Sequence, residues 1–493
     1  MLKDKLRDPS LLTGKAYIGG AWVAAASGQT IAVTNPANGD VIIDVPAMGA
    51  AETRQAIAAA EAAWPAWRAL PSSERGRLLE TWHRLMLENL EDLARILTVE
   101  QGKPLAEARG EIHYSGGFVK WFAEEARRIN GDIIPAPSTD RRILVLREPV
   151  GVSAAITPWN FPSAMITRKA APALAAGCPV VVKPSDFTPL SALALAVLAE
   201  RAGIPKGVFN VVTGMPEGIG GELTGNLGVR KLSFTGSTRV GRLLMQQCGD
   251  TVKRISLELG GNAPFIVFDD ADIDLAIAGV MASKFRNAGQ TCVCANRILV
   301  QDGIHDRFVE RLAQATAKLV VGNGVDDGVT IGPLINQAAV NKVERHIEDA
   351  RAKGATLVLG GDTKSNSLFV SPTLLTGARI EMDLASEETF GPVAPIFRFR
   401  EENEAIAMAN ATPFGLASYY YTQDIRRAWR VAERLEFGMV GLNTGSVSLE
   451  VAPFGGIKQS GLGREGSKFG IDEYLELKSF HVGGLDPSAD AAG

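Results

Sequence analysis

Cysteine and histidine are scarce in this sequence, which has only four cysteines and five histidines among 493 residues. So few cysteines, with no spacing that suggests a disulfide framework, are typical of a reducing compartment rather than of a secreted protein. The histidines do not cluster near the cysteines along the chain; they are His83, His113, His305, His346 and His481. We therefore expect a cytoplasmic protein without a metal site.

Long apolar runs and a strong charge of one sign are also missing. No segment approaches the ~20 apolar residues of a membrane-spanning helix. The charged start, "MLKDKLRDPSLL", lacks the apolar core of a signal peptide. A formal net charge of −4 provides no basic face for nucleic acid or anionic lipid. We expect a soluble, unprocessed protein that binds neither nucleic acid nor membrane.

The length of the chain predicts two or three structural units, since one hydrophobic core rarely serves so many residues. Apolar residues spaced by three and four predict amphipathic helices from about residue 52 to 128. After them, short β-rich runs such as "CPVVVKP" and "APFIVFDD" alternate with helical patterns in two successive series. This alternation predicts two α/β units, each with a parallel sheet covered by helices.

Two segments depart from the alternation. The run "RRILVLRE" at 141–148 is predicted to be a strand with charged ends, and it interrupts the helical region. The last ten residues, "GLDPSADAAG", are predicted to be frayed.

Two of the four cysteines stand one residue apart in "GQTCVC", as Cys292 and Cys294. Such a pair does not supply the four ligands of a structural zinc site. In an extended segment the two residues would lie ~6.5 Å apart, near the upper limit for a disulfide. Free cysteines are also often buried as small hydrophobic side chains. The turn-forming residues of "NAGQTC" favour instead an exposed Cys292 thiol beside backbone N–H groups, as a nucleophile requires.

Two further polar residues stand in unusual settings. Glu258 ends the apolar run "LELGG", where a carboxylate is either paired in a salt bridge or serves as a general base with a raised pKa. Asn160 lies in "TPWNFP", where a rigid loop could present its amide to an oxyanion, although a turn asparagine is an equally simple interpretation.

A phosphate-binding arrangement is indicated by "KLSFTGSTRVG". A strand, then Gly236 and Ser237, then a helix would present free N–H groups and the positive end of a helix dipole. The segment is not a G-x-G-x-x-G motif, so this signal is weak alone. In "VVVKPSD", Lys183 and Asp186 follow a predicted strand and could hold a ribose, or could be solvated loop charges.

Seven segments in this order and spacing resemble the aldehyde dehydrogenase superfamily: "PWNFP", "KPSDFTP", "FTGSTRVG", "LELGG", "GQTC", "EETFGP" and "PFGGIKQSGLGREG". The resemblance covers essentially the whole chain. Around "SKFRNAGQTCVCANR" and the segment from "GLNTGSVSLEVAPFGG" onward, the sequence is most similar to the succinate-semialdehyde dehydrogenase branch, with glutarate-semialdehyde dehydrogenases close behind.

This resemblance implies an α/β fold with three parts. Residues 1–131 and 150–260 would form a Rossmann-like NAD(P)-binding domain, and 261–462 a catalytic α/β domain. Residues 132–149 and 463–493 would form a small β oligomerisation element and the C-terminal segment. The chain would then assemble as a homodimer or homotetramer.

The resemblance also assigns catalytic roles. Cys292 would attack the aldehyde carbonyl while Asn160 stabilises the oxyanion, and Glu258 would activate water to hydrolyse the thioester. Glu465 matches a second carboxylate in proton handling. Cys294 would be a redox partner that forms a reversible disulfide with Cys292, or a plain packing residue.

Cofactor and substrate residues are carried over in the same way. The expected cofactor is NAD, with NADP also open, and its contacts are Thr157, Trp159, Lys183, Ser185, Asp186, Gly236, Ser237, Leu259, Glu388 and Phe390. The expected substrate is a small semialdehyde carboxylate, with its distal carboxylate held by Arg168, Arg286 and Ser448.

Two departures from the branch bear on specificity. Asp186 stands where NAD users usually have Glu, so a carboxylate near the ribose favours NAD while its shorter length leaves NADP open. Leu449 replaces an Asn common in close relatives, which keeps glutarate semialdehyde open as the substrate. A cysteine-dependent acyltransferase or esterase is the alternative of another class, and reduction of the nicotinamide by an aldehyde would exclude it.

Overall fold

The computed structural model describes residues 2–362 and 367–485. Of the tail predicted to be frayed, residues 486–493 lie outside the described residues. Within the described ranges the α-helices are α1 (Ala50–Ala69), α2 (Ser72–Glu88), α3 (Leu90–Gln101), α4 (Leu105–Glu125), α5 (Ala164–Ala176), α6 (Leu190–Arg201), α7 (Pro216–Gly225), α8 (Thr238–Gly249), α9 (Ile273–Lys284), α10 (His305–Thr316), α11 (Gln337–Ala352), α12 (Asp383–Ser386), α13 (Glu402–Asn410) and α14 (Ile425–Arg434).

The strands of the same ranges are β1 (Ala16–Ile18), β2 (Ala21–Val23), β3 (Thr30–Thr34), β4 (Val41–Pro46), β5 (Asp132–Ile134), β6 (Arg142–Pro149), β7 (Val152–Ile156), β8 (Val180–Lys183), β9 (Phe209–Val211), β10 (Val229–Thr235), β11 (Arg254–Glu258), β12 (Ala263–Val267), β13 (Ala295–Gln301), β14 (Thr356–Leu359), β15 (Thr373–Thr376), β16 (Val393–Phe399), β17 (Phe414–Gly415), β18 (Ala417–Tyr421), β19 (Met439–Leu442), β20 (Ile457–Lys458), β21 (Gly461–Leu462) and β22 (Leu475–Val482). Short 3₁₀ turns lie at Leu2–Lys5, Pro9–Leu11, Ala126–Arg128, Arg286–Gly289 and Asp472–Tyr474.

The predicted helical region forms the four helices α1 to α4. The long run between residues 74 and 102 divides at Asn89, which ends α2 and whose side-chain amide donates to the Leu85 carbonyl at 2.8 Å. Helix α3 ends at Gly102, whose φ of 101° suits glycine at a helix C-terminus. The buried faces of α2, α3 and α4 pack into one apolar cluster with α5 and α6, so these helices cover one side of the first sheet.

The first large sheet has eight strands in the order β2-β1-β9-β8-β7-β10-β11-β21. Strands β7 to β11 pair parallel with one another in this sheet, as the strand–helix alternation predicted. The chain order reverses direction between β7 and β10, and such a switch point opens a crevice at the carboxyl ends of the strands. Its last strand, β21, runs antiparallel to β11.

The second large sheet has seven strands in the order β14-β15-β16-β13-β12-β18-β19. Apart from β14, its strands are parallel to their neighbours. Its apolar core extends over both faces, since β12 and β16 bury nearly every residue. Two doubly covered, mainly parallel sheets confirm the predicted α/β class.

A third, smaller sheet contains the predicted strand "RRILVLRE". Strand β6 pairs antiparallel with β22 over eight residues and with β5 on its other edge. Several apolar side chains of this sheet are exposed, including those of Ile133, Leu477 and Phe480. Among the described residues, no helix is long and apolar enough to cross a membrane.

Candidate active site

The segment that presents Cys292 has an unusual backbone. After α9 ends at Lys284, Asn287 and Ala288 both adopt left-handed conformations, with φ values of 51° and 54°. Non-glycine residues rarely adopt this region, so the surrounding contacts must hold them there. Cys292 then lies in a turn, and the N–H of Cys294 donates to the Thr291 carbonyl at 3.1 Å. The two cysteines therefore do not lie in an extended segment, and both are free thiols.

Two glycines let other segments approach this loop. A Cβ atom on Gly261 would lie 2.5 Å from the carbonyl oxygen of Cys292. A Cβ on Gly289, whose φ is 75°, would lie 2.2 Å from the carbonyl oxygen of Gly391. The second glycine of "LELGG" thus allows the strand that carries Glu258 to pass directly against the nucleophile turn.

The Cys292 thiol is half-buried between charged groups. Burial raises the pKa of Cys292 to about 12, and Glu388 and Glu258 act in the same direction while Arg168 opposes them. Without bound ligands the thiol is therefore protonated at neutral pH. A nearby base is needed to form the thiolate, which is the nucleophilic form of cysteine.

Asn160 lies beside this turn in the loop before α5. Its Nδ2 atom donates to the Gln290 carbonyl at 3.0 Å, and its Oδ1 atom has no hydrogen-bond partner among the described residues. Its own carbonyl accepts from Lys103 Nζ at 2.8 Å and from Asn287 Nδ2 at 3.0 Å. Because an amide carries two N–H groups, one of them remains to face an oxyanion.

Glu258 ends β11 as a buried carboxylate, and neither of its oxygens has a hydrogen-bond partner among the described residues. Burial raises its pKa well above the ordinary value, and the nearby Glu465 carboxylate adds to the effect. The alternative of a salt-bridged structural glutamate does not fit this geometry. A carboxylate held this way is suited to act as a general base.

Glu465 has the opposite environment. Its carboxylate forms ion pairs with Lys169 and, at 2.5 Å, with Nε of Arg168. Burial alone would raise its pKa, but these two cations outweigh burial and lower it. Lys169 also donates to Thr235 Oγ1 at 2.6 Å.

Our sequence reasoning missed Lys169. The signal was present in "MITRKAAPALAA", where two basic residues interrupt an otherwise apolar helix that is buried along its whole length. Charged side chains inside such a helix are retained only when they are paired.

A cavity of about 780 Å³ opens on one side of Cys292. Its lining brings together several residues predicted for the cofactor or for catalysis: Trp159, Asn160, Gly236, Ser237, Leu259, Cys292, Glu388 and Phe390. Ser237 caps α8, and its side-chain oxygen accepts the N–H of Val240 at 3.4 Å. The start of α8 therefore faces this cavity with its positive dipole end, as a pyrophosphate requires.

Glu388 contributes a carboxylate to the lining of this cavity. Burial raises the pKa of this carboxylate to about 7, and its Oε1 atom accepts the Gly261 N–H at 3.2 Å. Phe390, with a φ of 55°, packs edge to face on Trp159 with ring centroids 5.6 Å apart. These residues shape a flat slot beside Cys292 that suits a nicotinamide ring and its ribose.

The remaining cofactor candidates lie at the ends of neighbouring strands. The Thr157 N–H, just after β7, donates to the carbonyl of Lys183, the last residue of β8. Lys183 Nζ lies 3.7 Å from Asp186 Oδ1, and burial lowers the pKa of this lysine. Ser185 lies between them in the chain, and Oγ1 of Thr157 is a buried atom without a partner among the described residues. The unpartnered Thr157 hydroxyl and the charges of Lys183 and Asp186 are suited to bind the ribose of a dinucleotide at the edge of the switch point.

A second cavity, of about 360 Å³, lies near the other side of the nucleophile turn. Val293 contributes to its lining together with Arg286 and Ser448. The Arg286 guanidinium lies 5.1 Å from the centre of the Phe161 ring and forms no ion pair with any described residue. Ser448 Oγ shares a hydrogen bond of 2.5 Å with the hydroxyl of Tyr114, a residue that our sequence reasoning also missed.

Arg168 does not line this second cavity. It is buried with its guanidinium 3.9 Å from the centre of the Phe454 ring, in addition to its ion pair with Glu465. Its Nη2 atom is nevertheless a buried donor without a hydrogen-bond partner among the described residues. The Phe118 ring lies near both the Arg168 guanidinium, at 5.3 Å, and the Tyr114 ring, at 4.9 Å.

Cys294 is a buried free thiol beside a lysine. Its sulfur lies 3.3 Å from Nζ of the fully buried Lys284. Burial raises the pKa of this thiol, and Lys284 acts in the opposite direction. Whether Cys294 pairs with Cys292 under oxidation stays a prediction.

Known proteins match this chain over almost its whole length. The model of the aldehyde dehydrogenase family matches residues 22–480. A 3-sulfolactaldehyde dehydrogenase of Pseudomonas putida is 62% identical, covering 98% of this chain and 99% of its own. A glutarate-semialdehyde dehydrogenase of Pseudomonas aeruginosa is also 62% identical, covering 98% and 100%. A succinate-semialdehyde dehydrogenase [NADP(+)] of Escherichia coli is 61% identical, covering 97% and 100%.

Solved structures agree with these relatives. The crystal structure of succinate-semialdehyde dehydrogenase from Burkholderia pseudomallei superposes with a TM-score of 0.96 at 60% identity, covering 97% of this chain and 99% of that one. A betaine aldehyde dehydrogenase from Staphylococcus aureus, in complex with NAD+, gives a TM-score of 0.94 at 36% identity, covering 99% and 97%. The resemblance seen in the sequence motifs is thereby confirmed, and the protein belongs to the aldehyde dehydrogenase family as an NAD(P)-dependent aldehyde dehydrogenase.

Proposed function

We propose that the protein oxidises succinate semialdehyde to succinate with NAD(P), and that glutarate semialdehyde is the alternative substrate. The observation that carries this proposal is the unpaired guanidinium of Arg286 in a cavity that also contains Ser448 and Val293, the neighbour of Cys292. A guanidinium without a protein partner is suited to bind a carboxylate through two parallel hydrogen bonds. An aldehyde with a carboxylate at its far end fits between this group and the thiol.

In the proposed mechanism, the Cys292 thiol transfers its proton to Glu258, which releases it to solvent. The thiolate then adds to the aldehyde carbon, and the carbonyl oxygen becomes an oxyanion. The free amide N–H of Asn160 and the Cys292 backbone N–H stabilise that charge. The chemistry that a bound nicotinamide supplies is removal of a hydride from the aldehyde carbon. The substrate is then joined to the Cys292 sulfur as a thioester. Glu258 takes a proton from water, the hydroxide adds to the thioester carbon, and the C–S bond breaks to release the acid and the thiolate.

For the distal carboxylate we propose three contacts. Arg286 and Ser448 share the second cavity, and Arg168, outside its lining, contributes a buried Nη2 atom without a hydrogen-bond partner among the described residues. Leu449, next to Ser448, is 53% exposed and leaves room beyond this end of the site. That room supports glutarate semialdehyde as the alternative, because one methylene changes binding by only ~1–3 kcal/mol.

We further propose NAD as the preferred cofactor, with NADP also used. The Asp186 carboxylate near Lys183 would repel a 2′-phosphate, while one 61% identical relative carries NADP(+) in its name.

We also propose the division into domains at 1–131 with 150–260, 261–462, and 132–149 with 463–493. Self-association as a homodimer or homotetramer through the small sheet is supported by its exposed apolar side chains. A cytoplasmic location completes the proposal and is supported by the four free cysteines.

The experiment that tests the substrate compares Arg286→Ala with the unaltered enzyme on succinate semialdehyde and on an uncharged aldehyde of similar length. We expect KM for the semialdehyde to rise on the order of tenfold to a hundredfold, since a hydrogen-bonded charge pair is lost. KM for the uncharged aldehyde should stay within about twofold. Arg351→Ala, at an exposed position of α11, is the matched control. Equal effects on both aldehydes would contradict the proposal.

A further inference from the structure

The second cavity contains one charged residue besides Arg286. Glu107, on α4, lines the same space, and these two are the only charged side chains among its described lining residues. Glu107 has no place in the mechanism above, and sequence motifs did not single it out. An acidic group in a cavity meant for an anion needs a physical explanation.

One part of the explanation is a backbone contact. The Glu107 Oε2 atom accepts the N–H of Asn287 at 2.8 Å. Asn287 is the first of the two left-handed residues that follow Arg286 directly in the chain. A charged acceptor on that N–H is a strong hydrogen bond, and it fixes the direction in which the preceding residue leaves the turn. Glu107 therefore determines where Arg286 points.

The second part is electrostatic. The buried ammonium of Lys103 is already paired with Glu111 at 2.6 Å and with the Asn160 carbonyl, so it does not compensate Glu107 fully. Arg286, in the same cavity lining, is the other cation that acts on the Glu107 carboxylate, without forming an ion pair with it. Burial raises the pKa of Glu107, while Lys103 and Arg286 favour its charged form. When Glu107 is ionised, its charge cancels that of Arg286, and these two lining residues together have no net charge.

We propose that Glu107 is a positioning and specificity-determining residue: it holds the turn that aims Arg286 into the cavity and opposes the attraction of Arg286 for an anionic substrate. This inference rests on the proposed function, because it requires a substrate with a distal negative charge. The Glu107 side chain has two separate effects. The hydrogen bond to Asn287 supports the nucleophile turn for every aldehyde, whereas the charge affects only aldehydes that carry an anion.

Two substitutions distinguish these effects. Glu107→Gln keeps an oxygen acceptor for the Asn287 N–H but removes the charge. We expect KM for succinate semialdehyde to fall roughly threefold to tenfold, since like-charge repulsion is removed. KM for an uncharged aldehyde of similar length, and kcat for both, should stay unchanged. The fall in KM should shrink at high ionic strength because the cavity is open to solvent.

Glu107→Leu removes both the charge and the acceptor. We expect kcat to fall for the charged and the uncharged aldehyde alike, because the turn that ends in Cys292 loses its anchor. Glu348→Gln, on the exposed face of α11, is the control for loss of a carboxylate elsewhere. If Glu107→Leu does not fold, Glu107→Gln alone still decides the electrostatic part, because that change preserves the size and hydrogen bond of the side chain.

The outcomes separate this inference from the proposed function. Should Arg286→Ala affect both aldehydes equally, the distal-carboxylate proposal fails, and the electrostatic role of Glu107 fails with it. Should Arg286→Ala act on the semialdehyde alone while Glu107→Gln leaves its KM unchanged or raises it, only the role of Glu107 is overturned. A lower KM for both aldehydes in Glu107→Gln would also overturn it, since a charge effect must depend on the charge of the substrate.

Discussion

Glu258 and Glu465 are buried carboxylates of one site whose pKa values are displaced in opposite directions. Glu465 is ion-paired with Arg168 and Lys169, which keep it charged. Glu258 has no hydrogen-bond partner among the described residues, and burial together with the charge of Glu465 makes its ionised form unfavourable. Two carboxylates with such different environments can take different roles, one as a fixed charge and the other as a proton acceptor.

Replacing Glu258 with Gln should stop hydrolysis of the thioester and slow its formation, since Glu258 also accepts the proton of the Cys292 thiol. We expect kcat to fall on the order of 10²–10⁴-fold, the usual contribution of a general base. Rapid mixing should still show a burst of reduced cofactor close to one per active site. An unchanged kcat in Glu258→Gln would contradict the role of Glu258 as the base that activates water.

As pH decreases, kcat should begin to fall at a pH above the range in which an ordinary carboxyl group titrates. Glu258 must be ionised to accept a proton, so the rate falls as pH decreases through its raised pKa. In Glu465→Gln the neighbouring negative charge is gone, and the fall should begin at lower pH. A fall that begins at the same pH would mean that another group controls it.

Stability should respond to pH through the same residue. A carboxyl group with a raised pKa in the folded state stabilises the protein fully below its unfolded pKa, and this contribution is lost as pH rises through the folded pKa. Glu258→Gln has no such loss. Its Tm should therefore exceed that of the unaltered protein at pH 8 and approach it near pH 4, as differential scanning calorimetry can measure. A constant difference in Tm across this range would contradict the direction of the pKa change.

The choice of cofactor should depend on the charge of Asp186. We expect Asp186→Ser to raise kcat/KM for NADP on the order of tenfold, equivalent to ~1.4 kcal/mol, because a 2′-phosphate is no longer repelled. The value for NAD should fall or stay constant. Steady-state kinetics with both cofactors measure this, and a strong NADP preference of the unaltered enzyme would overturn our prediction.

Oxidation distinguishes the two interpretations of Cys294. If it forms a disulfide with Cys292, peroxide should inactivate the enzyme, dithiothreitol should restore it, and Cys294→Ala should lose the reversibility. Cys248→Ala removes a cysteine far along the chain and is the control. Equal recovery of Cys294→Ala and the unaltered enzyme would assign Cys294 to packing against Lys284.

Periodicity was sufficient to predict the strands whose residues are almost all apolar. Strands β8 and β12 fall within the runs that predicted them, because strands buried on both faces are continuous hydrophobic segments. The short N-terminal strands β1 and β2 carried no such signal, since β2 is partly exposed. The end of α2 and start of α3 at Asn89 could not be predicted from the spacing of apolar residues, because the helical pattern continues through this position.

The candidate site was predictable where motifs bring chemistry and backbone signals together, as at Cys292 and Glu258. Tyr114 and Glu107 could not be found this way. Both lie on α4, and their significance comes from contacts with residues distant in sequence, 334 positions for the pair of Tyr114 with Ser448 and 180 for Glu107 with Asn287. Such contacts depend on tertiary packing and leave no local pattern.

The close approach of Gly261 to the Cys292 carbonyl limits how this enzyme can be altered. A Cβ at position 261 would lie only 2.5 Å from that oxygen, so even alanine would push the strand of the base and the loop of the nucleophile apart. The close packing of the segment after β11 on the Cys292 turn thus depends on a missing side chain. Variants intended for bulkier aldehydes are better sought near Leu449, where the side chain is exposed and no catalytic distance depends on it.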